Sequence, residues 1–524
     1  MGFKAAEDCL NEIKYEISLY HDYVSEVLIE ETVMLAAIIR NESVVVKKDI
    51  VLDLIQASAG KPFTKVLFYS FAIDVVSDSE LLVELLEMLL QTEAFKVNTL
   101  YFLHWQIQSM LFLKKDVITE DTLYLSRKLL ERIYEKFKSE LGERANYRRL
   151  SIGELNQDVA IVITGQLLAT DHGPTKTVLD RCYTLMKRLG KQVILINTAE
   201  VLTMVGKIPF WNMAVGSYIE GLKSASTMEW RGVKIPYLQC DQNMPNLDAL
   251  KYLLDVIYEM KPGIIVSVGH SSILGGLVND IVPVLVVGTT TSGIVPMIED
   301  YQIVPQKLDN SHINVFRKLG RGENSLIKGR FTFSLKEQEE FLERNMLGFP
   351  EQKFLLCVVG GRLDEEITEE FLAMLEGILS EKIAIVFIGE FQKYETLCQK
   401  YEWFRENSYN LGWCSDILSR VELCDLYVNP ERRGGGTSCV EAMYKGLPVI
   451  TTEYGDVAGI VGNNFSCHDY MEMGQIIQQY VEDKEFYKKQ SAIAEKLAAE
   501  YMDSETEFER CINVYLERMR EAEH

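Results

Sequence analysis

Three consecutive glycines, Gly434-Gly435-Gly436, lie between an apolar strand and the start of a helix, and they constrain this chain more than any other feature. The residues around them, Leu423 to Thr451, read as a short buried strand over Leu426 to Val428, a turn, a helix opened by Thr437 and Ser438, and a second strand from Pro448 to Thr451. Glycine has no Cβ, so the turn admits positive φ and lets backbone amides approach a ligand closely. The following helix aims its free N–H groups and positive dipole end at the same spot, which makes an anion site suited to a diphosphate. Glu441, one turn into that helix, can accept hydrogen bonds from sugar hydroxyls beside the diphosphate. A strand, glycine turn and helix with such a carboxylate is what a nucleotide-sugar site requires, whereas an ordinary βαβ turn needs only one glycine and a cap.

Upstream the chain changes character twice. From the start to about Gly142 apolar residues recur at helical spacing, as in Leu10, Ile13, Ile17 and Tyr20, or Leu82, Leu85, Leu86 and Leu89, and predict an all-helical region. Gly60-Lys61 there lacks the first glycine and the Ser or Thr of a phosphate loop. The aromatic run Tyr101, Phe102, His104 and Trp105 reads as helix core.

After Asn156 strands alternate with helices. Val159–Thr164, Val193–Asn197, Ile264–Val268 and Val282–Val287 are strands, with helices at Thr177–Leu189 and Asn246–Met260. A charged connector, about Lys307 to Lys353, includes an expected helix from Leu335 to Met346. A second alternating unit follows, with strands at Phe354–Val359 and Ile383–Ile388 and a helix at Thr368–Leu379. Each alternation implies a parallel sheet with right-handed crossovers and ligands at the carboxyl ends of its strands.

In the first sheet three loops occupy those ends. One carries Asp171, His172 and Gly173, the next Gly269, His270, Ser271 and Ser272, and the third Gly288, Thr289 and Thr290. The chain has seven histidines, and two of them fall on equivalent edges of one sheet, which makes His172 and His270 candidates to face substrate.

Composition narrows the function classes. The length of 524 residues exceeds one core and points to two or three domains. A net charge of -23 repels phosphate backbones and anionic lipid, which argues against nucleic-acid and peripheral-membrane partners. The ten cysteines are scattered singly without a CxxC pair, so neither a zinc site nor a disulfide framework is expected and a reducing compartment follows. With no signal-like N-terminus and no apolar run of membrane-spanning length, the expected location is the cytoplasm.

Three landmarks in order carry a family resemblance: Gly360-Gly361-Arg362-Leu363 at a strand end, Leu411-Gly412-Trp413 before a helix, and Asn429-Pro430 ahead of the glycine turn, Glu441-Ala442 and Gly446-Leu447-Pro448-Val449. Together they resemble the donor domain of GT-B glycosyltransferases, with a GT4-like phosphate motif. The resemblance implies an α/β fold of two Rossmann-like domains preceded by an all-α N-terminal domain. The expected bounds are 1–148 for the helical domain, 149–330 for the acceptor domain, 331–505 for the nucleotide-sugar domain and 506–524 for a helix crossing back. It also implies donor roles for Arg362 against the diphosphate, Gly412 and Trp413 at the base, Gly434, Gly435, Gly436, Thr437 and Ser438 at the phosphates, and Glu441 at the ribose or sugar. Retaining GT4-type members carry a glutamate eight positions before the second one, where Arg433 stands here. They commonly add a lysine soon after the arginine, where Asp364, Glu365 and Glu366 stand. The middle domain, through Val268-Gly269, Asn279, Pro283 and Val287 to Ile294, resembles more loosely the HMW1C-like protein N-glycosyltransferases, in which a histidine holds the place of Thr289.

The expected function is metal-independent transfer of a sugar from a nucleotide-diphosphate donor, a UDP-sugar by preference, to a protein or peptide acceptor. A nucleotide sugar is then the co-substrate, and no metal or further cofactor is expected because no strand ends in DxD. In an inverting reaction His172, His270 or Asp171 is the candidate base, with Gly173, Thr289 and Thr290 lining the acceptor cleft. The alternatives are a growing polysaccharide or glycolipid as acceptor, a catalytically silent GT-B partner or chaperone of another transferase, and a nucleotide-sugar epimerase. The helical domain would extend the acceptor groove or serve as a dimerisation module.

Overall fold

The computed structural model describes residues 2–170, 172–201, 218–289, 296–306, 308, 310–332, 334–335 and 337–523. Asp171 and Thr290 lie outside them. Seven helices come first: α1 (Gly2–Leu19), α2 (Glu26–Ile39), α3 (Val44–Ala57), α4 (Pro62–Val76), α5 (Ser79–Gln91), α6 (Val97–Leu113) and α7 (Glu120–Leu141). The β-branched run Val44 to Val46 is helical because Ser43 caps α3, accepting from Val46 N. Lys61 is structural, its Nζ donating to the backbone carbonyls of Tyr20 and Ile17.

The first sheet follows, with β1 (Asn156–Thr164), α8 (Gly173–Lys187), β2 (Gln192–Asn197), β3 (Thr227–Trp230), β4 (Val233–Gln239), α9 (Leu247–Met260), β5 (Pro262–Gly269), α10 (Ile273–Asn279), β6 (Leu285–Gly288), β7 (Tyr301–Val304), α11 (Asn310–Lys318) and β8 (Leu326–Lys328). Its strand order is β3-β4-β2-β1-β5-β6-β7-β8, parallel except for the β3–β4 hairpin. The second sheet comprises β9 (Phe354–Gly360), α12 (Leu363–Glu366), α13 (Glu369–Ile378), β10 (Ile383–Gly389), α14 (Tyr394–Lys400), α15 (Glu402–Asn407), β11 (Ser408–Asn410), α16 (Ile417–Val421), β12 (Leu426–Asn429), α17 (Gly436–Tyr444), β13 (Val449–Thr452), α18 (Gly455–Val461) and β14 (Ser466–Cys467). Its order is β11-β10-β9-β12-β13-β14, parallel throughout. Helices α19 (Tyr470–Glu482), α20 (Lys484–Met502) and α21 (Ser504–Glu523) close the chain.

Two parallel sheets after a helical region make this a GT-B architecture of two Rossmann-like units. In each sheet the chain moves outward on one side and then returns to the other, so a switch point lies between β1 and β5 and another between β9 and β12. Crevices open there at the carboxyl ends of the strands. The loops after β1 and β5 border the first crevice, and those after β9 and β12 the second.

Helix α6 joins the helical region to the first sheet. Tyr101 donates to Glu200 at 3.0 Å, and Glu200 also accepts from the amides of Ile273 at 2.7 Å and Leu274 at 3.1 Å, where α10 begins. The aromatic run packs as core, with Tyr101, Phe102 and His104 buried. Helical region and first sheet share one continuous apolar cluster, whereas the second sheet has a separate cluster on each face. Helix α21 returns to the first sheet, where the Tyr515 hydroxyl donates to Pro283 O at 2.6 Å.

Several expected elements differ. Residues 334–343 form no helix among the described residues, and only a 3-10 turn, Arg344–Leu347, follows them. The Asp416 carboxylate takes the amides of Glu339 and Glu340 at 2.9 and 2.8 Å, so side-chain acceptors replace the helical ladder. The strand expected from Val282 starts at Leu285, because Val282 N still bonds Val278 O at the end of α10. Helix α8 starts at Gly173, four residues before its expected start, since Gly173-Pro174 supplies a proline in the first turn. The short strands β3, β7, β8, β11 and β14 carry too little periodicity to be read from sequence, whereas β4, seven residues in strict buried-exposed alternation, had a legible period of two that sequence reasoning missed.

Candidate functional site

The glycine turn is shaped by a buried arginine. Arg432, 6% exposed, donates from Nε to Asn429 Oδ1 at 2.7 Å and from Nη2 to Val359 O at 2.7 Å, and its Nη1 pairs with Glu366. This fan ties the turn after β12 to the end of β9 across the switch point. Gly435 adopts φ +98°, and a Cβ there would lie 2.8 Å from both Arg432 Nη2 and Asn429 Oδ1. Any side chain would break the fan. Gly435 is also the N-cap of α17 and offers no side-chain cap, so the helix's first amides are not taken by a capping side chain. An anion fits that gap.

Arg362 stands over the same turn. A Cβ on Gly434 would lie 3.5 Å from Arg362 Nη2, and the side chain is 44% exposed with Glu366 Oε1 at 3.1 Å. Guanidinium and helix N-terminus therefore share one spot. The acidic loop after Arg362 braces the neighbouring backbone, for the Asp364 carboxylate accepts from the amides of Gln392 and Lys393 at 3.3 and 2.7 Å. Thr437 directs its hydroxyl to the cleft, 3.6 Å from where a Cβ on Gly173 would lie. Ser438 turns its hydroxyl inward, 2.9 Å from the Tyr427 hydroxyl and 3.1 Å from Gly435 O, so its amide is what it can offer an anion.

Across the cleft, α8 begins opposite α17. His172 is its N-cap, with Nδ1 3.3 Å from Thr175 Oγ1. Lys176, in the first turn, reaches Glu441 Oε1 at 3.9 Å. Two helix N-termini thus face each other with a lysine between them, a strongly anion-selective arrangement. Sequence reasoning missed Lys176, although a lysine in the first turn of a helix opened by Gly173-Pro174 was a signal in plain view.

Glu441 is 5% exposed, and burial pushes its carboxyl up to about 7, with Lys176 pulling the other way. Above that pH the carboxylate holds Lys176 and repels an incoming diphosphate; below it the neutral acid releases the lysine. Donor KM should therefore fall roughly fivefold between pH 8 and pH 6. Steady-state kinetics with a nucleotide sugar checks this, and in Glu441→Gln the KM should be flat over the same range.

At the β11 edge of the second sheet, Gly389 N donates to Gly412 O at 2.7 Å, which draws the loop after β11 to the end of β10. Trp413 beside it is 62% exposed and offers a flat apolar face at the sheet edge. Thr289 is partly buried at the end of β6.

His270 occupies a different setting from His172. Its ring meets Trp105 of α6 edge-on at 4.2 Å, Nδ1 lies 2.7 Å from Ser271 O, and a Cβ on Gly165 would touch the imidazole at 2.5 Å. The carbonyl acceptor fixes the proton on Nδ1, and burial lowers the pKa to about 4. The ring serves the junction between α6 and the sheet, and it is a weak base. His172 alone of the two stands at the helix N-terminus beside the cleft.

Arg433 also departs from expectation. Its Nη1 donates to Leu111 O at 3.2 Å, at the end of α6. Nothing in the local sequence links position 433 to position 111. A cavity of about 1100 Å³ opens beside Arg433, lined by Lys115, Gly288, His312, Arg330 and Tyr454 among others, between the two sheets.

Residues 339–497 match the family model "Glycosyl transferases group 1". No curated protein sequence matches the chain. Among solved structures, an O-GlcNAc transferase mutant of Thermobaculum terrenum aligns at 11% identity and TM-score 0.49, over 100% of this chain and 98% of that one. A glycosyltransferase of Rickettsia africae aligns at 12% and 0.49, over 70% and 99%. The Anabaena protein HepE in complex with UDP and glucose aligns at 14% and 0.47, over 68% and 99%. The glycine turn, Arg362 and Glu441 all fall within residues 339–497, the stretch of the second Rossmann-like unit that matches this family model.

Proposed function

We propose that this chain is a metal-independent glycosyltransferase that moves a sugar from a nucleoside diphosphate donor, a UDP-sugar by preference, to a protein or peptide acceptor held between the two sheets. The observation that carries this reading is the convergence of Arg362 and the uncapped start of α17 on Gly434. Departure of the diphosphate leaves negative charge on its oxygens. Arg362, the amides from Gly436 to Ser438 and Lys176 meet that charge with fixed positive ends, which lowers the barrier without reorganisation.

Trp413 supports the base, and Glu441 lies at the ribose or sugar. His172, the N-cap residue of α8, is the group at the cleft that can take the acceptor's proton if the reaction inverts. A protein or peptide acceptor is favoured by the helical region, whose α6 reaches Arg433 beside the glycine turn and so lengthens the wall of the cleft; the cavity beside Arg433 is lined by none of His172, Lys176, Arg362 and Glu441.

The test is incubation of the purified chain with a panel of nucleotide sugars, with and without peptide and glycan acceptors, reading nucleotide release and product mass. Transfer to peptide is expected. Transfer to glycan alone would move the acceptor class, while interconversion of sugars, or binding without turnover, would overturn the transferase reading.

A further inference from the structure

Helix α6 touches both Rossmann-like units. Tyr101 and Trp105 fix its middle to the first sheet through Glu200 and His270. Eleven residues on from Tyr101, roughly 16 Å along the axis, its end meets the second unit at the donor turn. There Leu111 O accepts from Arg433, and the Phe112 ring has the Arg362 guanidinium 5.6 Å from its centroid and that of Arg433 at 5.8 Å. Lys115, just beyond, pairs with Glu431 and lies 5.7 Å from the centre of the Tyr454 ring. Lys114 anchors this corner to α4 through Asp74 at 2.9 Å.

Two guanidiniums on one ring are an unusual arrangement in a free protein, because like charges repel. The negative face of the ring offsets part of that repulsion within about 6 Å. A guanidinium held through its face keeps its in-plane N–H groups for an acceptor. Arg433 has such capacity in hand: among the described residues its guanidinium makes one hydrogen bond, from Nη1 to Leu111 O.

We propose that the end of α6 is a third wall of the donor site, in which Phe112 is a positioning residue that holds Arg362 and Arg433 together so that both engage the diphosphate of a nucleoside diphosphate ligand. The inference rests on the donor reading given above. It makes the helical domain part of the site, and it explains an arginine at 433: the residue gains a carbonyl, a ring and a diphosphate.

The experiment is calorimetric titration of the full chain with UDP for wild type, Phe112→Leu, Phe112→Trp and Arg433→Gln, beside melting curves without ligand. Phe112→Leu keeps bulk and apolarity but removes the π face, so UDP affinity should fall about tenfold. Phe112→Trp should restore it to within about threefold, because indole is the better π face. Arg433→Gln should also lose about tenfold, with the unliganded melt unchanged. Full affinity in Phe112→Leu or in Arg433→Gln, or equal weakness in Phe112→Leu and Phe112→Trp, overturns the positioning role while the donor site stands. Failure of the wild type to bind UDP, GDP or ADP overturns both.

Discussion

Arg362→Ala should lower donor turnover about a hundredfold while leaving the fold intact. The guanidinium is 44% exposed, and its ion-pair partner Glu366 is also held by Arg432, so truncation strands no charge in the interior. On the donor reading proposed above, what is lost is the cation that meets the charge gathering on the departing diphosphate beside Gly434. Because that charge is greater in the transition state than in the bound donor, kcat should fall along with kcat/KM. Arg362→Lys should recover only part of the loss, since an ammonium cannot bond two phosphate oxygens in one plane. Initial-rate assays of nucleotide release, paired with a melting curve, decide the matter. Turnover at the wild-type level would remove Arg362 from the site.

The largest effect on stability is expected at the neighbouring turn. Arg432→Met should destabilise the second Rossmann-like unit by about 3–5 kcal/mol, because it leaves the Glu366 carboxylate, 8% exposed, without its main partner. Val359 O and Asn429 Oδ1 lose donors in the same step. Urea unfolding followed by the fluorescence of Trp403 and Trp413, both in this unit, reads the change. Adding Glu366→Gln to Arg432→Met should return a large part of the stability, since an unpaired amide is far cheaper to bury than an unpaired carboxylate. If the single variant unfolds at the wild-type urea concentration, the buried fan is not what fixes the turn.

The contrast between these neighbours shows what can be read from residues alone. Positions 432 and 433 are both arginine, and nothing in their order separates the one that holds the turn from the one that reaches α6. A side chain's partner lies wherever the fold brings another segment. Glu366 is 66 residues from Arg432, and Leu111 is 322 from Arg433. The acidic run after Arg362 looks like a missing cation in sequence, yet Asp364 holds the loop by its amides. The expected helix from Leu335 to Met346 fails similarly, because the apolar spacing is adequate and a distant Asp416 supplies the competing acceptor.

By itself the sequence determined the alternation of strand and helix, the all-helical start, the glycine turn and the likeness of residues 354 onward to a donor domain. These are properties of periodicity and backbone freedom, which act over a few residues. The tertiary structure alone decided that α8 faces α17 with Lys176 between them, that His270 is spent on the Trp105 junction, and that Phe112 stands between two arginines. Such facts depend on which surfaces meet when two sheets and a helical domain pack together, and a linear code with a range of one turn does not carry them.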